Sequence, residues 1–423
     1  QMRLMGASVQ LRNWTPPISE LNGMIQLTHQ TLSTERLQAV VAKQPVTLSA
    51  HVTELTTTPR LVAHAQAGRF ALLLKAIAHP DRIILENAEL SSERSRLRLT
   101  GELGRAPAPI SQLALAGTIE LDDLQHVPWV SLAALAFWKP SGQADLQLKL
   151  AGPLHDWTRL NGIGALRANA LQIRAIPVRG LAVEFDHAEG RSTIRIVNAV
   201  LADGRLAGRL ILDHREGARS SLVCDLTMAD VRQLAAAVPA WEGQAIEGQL
   251  STHAELQGSW RDWKTLRGQG WIQAKGQRLD TLPGLDRIVR KFFSKLADRL
   301  GLAVLREAQT TDIAGQWRIG EQRVWSDDLR LSGASTLDLL MIYVRGSVGF
   351  DKTLDLTIEP DLSEHLLAQS SLPKTVLTLM SGFDRVKRLL GRYRVRGTLE
   401  EPDPNFEWSL EQFFQSLPGL LGG

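Results

Sequence analysis

Residues 142–177 align with residues 248–283 without a gap, at a constant offset of 106 (248 − 142), and 11 of the 36 positions are identical. The shared core reads Leu-x-Gly-x-x-x-Asp-Trp-x-x-Leu-x-Gly-x-Gly, running from Leu150 to Gly164 and again from Leu256 to Gly270. Gly152, Asp156, Trp157 and Gly162 in the first copy answer to Gly258, Asp262, Trp263 and Gly268 in the second. A faint third copy is visible as Trp14 followed by Leu21-Asn22-Gly23. A supersecondary unit used more than once stacks on its neighbours, because no single copy buries its own apolar face.

The unit is made of strands. Apolar residues alternate at period two through Leu146, Leu148 and Leu150, through Ile194 and Ile196, through Leu210 and Leu212, and through Leu354, Leu356 and Ile358. Period two puts each set on one face of a half-buried strand. Glycines punctuate these runs, as in Leu99-Thr100-Gly101-Glu102-Leu103 and Val344-Arg345-Gly346-Ser347-Val348, and mark turns, bulges or close backbone approach. Ala202-Asp203-Gly204-Arg205 reads as a hairpin turn. The expected fold is mainly β: an elongated, repetitive antiparallel sheet curled into a groove, with a few short capping amphipathic helices. Three modules are expected, a β-groove at 1–121, a second at 122–227 with a leading short helix, and a C-terminal one at 228–423.

Helical patterning is confined to a few stretches. Residues 122–138 and 228–238 are short candidates about one repeat apart, and 374–390 is a longer amphipathic one with Arg385, Lys387 and Arg388 near its end. At 285–300, Leu285, Ile288, Val289, Phe292, Phe293, Leu296 and Leu300 form one stripe, with Arg287, Arg290, Lys291, Lys295 and Arg299 elsewhere. That helix either caps one end of the β array or lays a basic face on an anionic membrane or partner.

Composition narrows the function. The 423 residues carry 48 Lys and Arg against 45 Asp and Glu, a net charge of +3, and only 5% are aromatic. Neither a concentrated basic face nor a supply of stacking rings points to nucleic acid. The single cysteine, Cys224, excludes an internal disulfide and a cysteine zinc site, and its parity with Leu222 and Leu226 reads as a buried thiol. No apolar run reaches bilayer length. The chain opens on Gln1 with no signal peptide, which reads as part of a longer protein.

No catalytic signature is present: no Gly-x-Ser-x-Gly elbow, no phosphate-binding Gly-rich loop and no His-Glu-x-x-His helix. The pairs Gly162-x-Gly164 and Gly268-x-Gly270 lack the third glycine of a dinucleotide fingerprint. His126, His155 and His253 read as surface or loop residues without metal-ligand spacing. Asp156 and Asp262 recur with their tryptophans in both copies, which suits a turn-capping carboxylate and a ring closing the end of a strand pair. The chain is therefore expected to be no enzyme, with no metal and no cofactor.

The order of several segments resembles the AsmA-like family of Gram-negative envelope proteins. These are Leu21-Asn22-Gly23-Met24-Ile25 with Pro45-Val46-Thr47-Leu48, then Ala202-Asp203-Gly204-Arg205-Leu206-Ala207-Gly208-Arg209-Leu210. Ile246-Glu247-Gly248-Gln249-Leu250 through Gly270, Leu282-Pro283-Gly284-Leu285 and Tyr393-Arg394-Val395-Arg396-Gly397-Thr398-Leu399-Glu400-Glu401-Pro402 complete the set. The family's inner-membrane helix at the front has no counterpart here, so anchoring to the inner membrane is implied for a longer protein only.

The resemblance implies a periplasmic β-trough that carries phospholipid acyl chains between inner and outer membranes. Leu146, Leu148, Leu150, Ile194, Ile196, Leu210, Leu212, Leu354, Leu356 and Ile358 are then expected to line the groove; the opposing reading places them in the core of a closed sandwich. A second function implied is a scaffold for outer-membrane protein assembly, with an exposed strand edge offered to an envelope partner.

Overall fold

The computed structural model describes residues 1–9, 18–41, 44–105, 110–124, 139–154, 156–215, 218–236, 246–259, 262–277, 279, 285–307, 310–333, 340–363, 368–371 and 392–406. The expected helix at 374–390, most of the one at 122–138, and His126 and His155 lie outside them. Twenty-three strands form one antiparallel sheet that is not closed into a barrel, as the period-two patterning predicts. Helices among the described residues are α1 (Leu121–Leu124), α2 (Val231–Ala236) and α3 (Leu285–Leu300). The chain divides into two compact units: Gln1–Ala199 with Ile211–Gly217, and Val200–Leu210 with Ala218–Gly423.

The first unit is a meander. Its strands are β1 (Met2–Val9), β2 (Ile18–Leu27), β3 (Leu32–Val41), β4 (Gln44–Thr53), β5 (Arg60–Ala67) and β6 (Phe70–Ala78). They continue as β7 (Arg82–Ser91), β8 (Arg96–Gly104), β9 (Ser111–Glu120), β10 (Pro140–Gly152), β11 (Asn161–Ile173) and β12 (Ile176–Ala188). Each pairs with the next in sequence. Strands β13 (Arg191–Leu201) and β14 (Gly204–Asp213) cross the division. The residues between them, Ala202 and Asp203, both take positive φ, as do Glu189 and Gly190 after β12. Two successive positive φ values suit the mirror-image turn that matches strand twist.

The second unit continues with β15 (Arg219–Asp230), β16 (Glu247–Ser259), β17 (Asp262–Gln277), β18 (Asp312–Gly320) and β19 (Arg323–Gly333). It ends with β20 (Leu340–Gly349), β21 (Leu354–Leu362), β22 (Tyr393–Gly397) and β23 (Pro402–Phe406). Here the sheet has a covered core. The apolar stripe of α3 buries Ile288, Val289, Phe292, Phe293, Leu296 and Leu300 against Ile313, Leu331, Ile342, Val344 and Tyr393.

The sequence repeat is a structural repeat. Each copy is a strand, a short helix and a strand pair: β9-α1-β10-β11 and β15-α2-β16-β17. Leu150 faces Gly162 in the first copy and Leu256 faces Gly268 in the second. Asp156 Oδ1 accepts from the Thr158 N–H at 3.0 Å, and Asp262 Oδ1 accepts from the Lys264 N–H at 3.0 Å, the same turn cap in both. Trp263 rests on Phe350 with ring centroids 5.2 Å apart. The copies part at a bulge in β11, where Gly142 faces Leu171 but Gly248 faces Gly276, one place short of the equivalent residue (171 + 106 = 277).

Candidate functional site

Directly opposed residues in an antiparallel ladder share one face of the sheet. Followed from strand to strand, the register of the first unit produces apolar rows that run across the strands. One row passes through Leu37, Leu48, Ala65, Leu72, Leu90, Leu97, Gly117, Leu146, Leu166 and Val183, one residue from each strand of β3 to β12. A second passes through Ala50, Ala63, Leu74, Ala88, Leu99, Leu115, Leu148, Gly164 and Phe185. A third passes through Leu32, Val52, Leu61, Ala76, Leu85, Gly101, Leu113, Leu150 and Gly162, and ends on His187.

No charged residue interrupts the three rows. The opposite face carries the polar partners, for example Gln66, Ser91, Arg96, Thr118, Asp145 and Arg167. A register shift between Leu85 and Ala88 keeps both residues and Leu90 on the apolar side, although simple parity would split them. Nine strand spacings of about 4.8 Å make each long row about 43 Å, with rows about 7 Å apart.

Most row residues are half-buried; Leu72 is 37% exposed. The extensive backbone contacts of these strands are with their sheet neighbours and with α1. On the opposite face a hollow of about 460 Å³ lies between Thr100, Ala114, Lys149 and Ile163 on one side and Gln112, Ala151 and Asn161 on the other. A Cβ on Gly162 would stand 2.9 Å from Leu150 Cδ2, so the glycine leaves room for that leucine on the third row. His187 closes the row as a buried group: its Nδ1 is 2.7 Å from Ser192 Oγ, which lies 2.9 Å from His214 Nε2.

The residues expected to line a groove separate into two sets. Leu146, Leu148 and Leu150 stand on the three rows, and Ile194, Ile196, Leu210 and Leu212 are likewise half-buried. Leu354, Leu356 and Ile358 do not join them and require a correction. At 5%, 8% and 2% exposure they belong to the core beneath α3. The helix's apolar stripe covers that end of the sheet, and register alone could not reveal it.

Between α3 and the strands remains a cavity of about 340 Å³, lined among others by Ile288, Phe292, Leu329, Val344, Leu356 and Ile358. Its size falls within the roughly 300–1,000 Å³ of ligand pockets. The basic residues of α3 face the hairpin β22–β23. Arg287 Nη1 donates to the Glu400 carbonyl at 2.7 Å, Lys291 Nζ to the Pro402 carbonyl at 2.8 Å, and Lys295 Nζ to the Pro404 carbonyl. Arg299 sits 3.6 Å over the Phe406 ring. These contacts suit a cap held on the sheet rather than a face spread on a membrane.

Cys224 is half-buried on the face of Leu222 and Leu226, and burial pushes its thiol pKa up. His253 is no loop residue. It lies in β16, with Nδ1 2.6 Å from Asp225 Oδ1 and Nε2 3.3 Å from Glu255 Oε1, and the Asp225 hydrogen bond raises its pKa. No described helix is long and apolar enough to cross a membrane. No protein-family model, curated protein or solved structure matches the chain.

Proposed function

We propose that this chain is a lipid conduit of a Gram-negative envelope. It carries phospholipid acyl chains along the apolar face of its sheet, in the periplasm, between inner and outer membranes. The observation that carries the reading is the set of three charge-free rows, two crossing β3 to β12 and one crossing β4 to β12, whose residues stay mostly half-buried on a sheet not closed into a barrel. Soluble surfaces seldom leave so much contiguous hydrocarbon open without a ligand or partner for it. Each methylene laid on such a face gains about 0.8 kcal/mol, whichever leucine or alanine it touches. Uniform, non-directional contact lets a tail slide from strand to strand without a deep trap, and no bond need be made or broken. The order of sequence segments that resembles the AsmA-like family supports the same reading.

The test is photocrosslinking. Benzoylphenylalanine at Leu99, on the second row, captures phospholipid in cells; at Arg98, on the polar face opposite Ala116, it does not. Equal capture at both positions, or at neither, refutes the conduit. A second reading, a scaffold for an envelope protein, rests on the outer edge of β1, where Met2 and Met5 are 55% and 75% exposed. A benzoylphenylalanine at Met5 that captures protein, with Leu99 capturing no lipid, would favour it.

A further inference from the structure

The polar face of the second unit carries a cleft unconnected with lipid. It measures about 610 Å³ and lies over β16, β17, β18 and β19. Its floor is two cross-strand rows. One is His253, Trp271 and Gln316; the next is Glu255, Gln269, Arg318 and Trp325. Trp271 is 40% exposed, an indole left open beside amide, carboxylate and imidazole groups.

The cleft is lined by three carboxylates, Glu255, Asp327 and Asp328, against Arg318 and His253. Glu255 accepts from Gln269 Nε2 at 3.1 Å and faces His253 Nε2 at 3.3 Å. Asp328 Oδ1 accepts the Gln316 N–H at 2.7 Å. Arg318 lies 3.9 Å from Asp327 and 5.2 Å from the Trp325 centroid. An anionic ligand would meet this surplus of carboxylates, whereas a hydroxyl can donate to them without a charge of its own. What the cleft offers is an indole face for apolar C–H groups, rimmed by planar hydrogen-bonding groups with further lone pairs and N–H bonds. A sugar ring has that complement: C–H groups on its faces and hydroxyls at its edge.

We propose that this cleft binds a neutral saccharide, with one pyranose ring stacked on Trp271 and its hydroxyls bonded by Glu255, Gln269 and Gln316. The experiment uses the full chain and three probes, cellotetraose, maltotetraose and chitotetraose, up to 20 mM. Indole fluorescence and saturation-transfer NMR read the binding. The expected result is saturable binding of at least one probe, weakened at least tenfold by Trp271→Ala and by Gln269→Ala. Trp263→Ala, at an exposed tryptophan outside the cleft, leaves it unchanged, and thermal melting verifies that the variants are folded. Failure of all three probes to saturate overturns the proposal. So does undiminished binding in folded Trp271→Ala, or preferential binding of tetragalacturonate or phosphocholine over the neutral probes.

Discussion

Leu148→Asp separates an open lane from a packed core by magnitude. Leu148 is half-buried, opposite Leu115 on one side and Gly164 on the other. Full burial of a leucine is worth about 1.5–3 kcal/mol, so losing half of it costs about 1 kcal/mol. The poorer strand propensity of aspartate adds up to about 1 kcal/mol. The carboxylate keeps its water, so no large desolvation follows, and the loss totals about 2 kcal/mol. A carboxylate forced into a sealed interior would cost several kcal/mol more and unfold the unit. A passing acyl chain, in contrast, must strip water from the charge. A penalty of only about 3 kcal/mol lowers occupancy or passage roughly a hundredfold. Chemical denaturation and mass spectrometry of lipid co-purified with the full chain measure both effects. The expected variant is folded and stripped of lipid. Undiminished lipid, or a loss of stability above about 4 kcal/mol, refutes the reasoning, and Ile358→Asp beneath α3 supplies the unfolding comparison.

Tyr393 is fully buried and its hydroxyl has no hydrogen-bond partner among the described residues. Tyr393→Phe is therefore expected to raise stability by about 1 kcal/mol in urea titrations, and a loss of that size would refute it. Burial raises the Tyr393 pKa, so the folded chain keeps a proton that the unfolded chain sheds near pH 10; wild-type stability falls above that pH, and the phenylalanine variant lacks this component. The His253 pKa is raised by Asp225 first and Glu255 next, so its stabilisation is complete below about pH 6.5 and fades as pH climbs through the folded value. Its NMR titration midpoint drops in Asp225→Asn; an unmoved midpoint contradicts the assignment. Gly270→Ala places a Cβ 2.1 Å from the His253 carbonyl oxygen and 2.4 Å from the Trp317 ring, and is expected to cost about 1–3 kcal/mol. Gly320→Ala, with nothing within 4 Å, provides the control in the same melts.

The antiparallel strands and the repeat were legible because period two and an ungapped alignment are local signals. Leu146, Leu148 and Leu150 declare their common face within five residues. Their partners Leu97, Leu99, Leu115, Leu166 and Val183 were not picked out, because a row across strands is written in register, and register depends on turns and bulges such as the one after Leu85. The same limit misplaced Leu354, Leu356 and Ile358. Their alternation is that of the open rows, and only the docking of α3 distinguishes covered from uncovered. His253 lies at the surface but in a strand, and its cross-strand partner Asp225 was not legible in a single segment. The cleft around Trp271 escaped notice because its members come from four strands and share no motif.

The grip of α3 on the hairpin β22–β23 bears on how the chain is made. Arg287, Lys291 and Lys295 are held by carbonyls 113, 111 and 109 residues downstream. During synthesis the helix emerges well before the hairpin that grips it, so the Phe292 edge that meets Tyr393 stays open until the hairpin leaves the ribosome. Such late, long-range closure is slow and exposes sticky intermediates. A polypeptide truncated ahead of Tyr393 would expose the surface that holdase chaperones recognise.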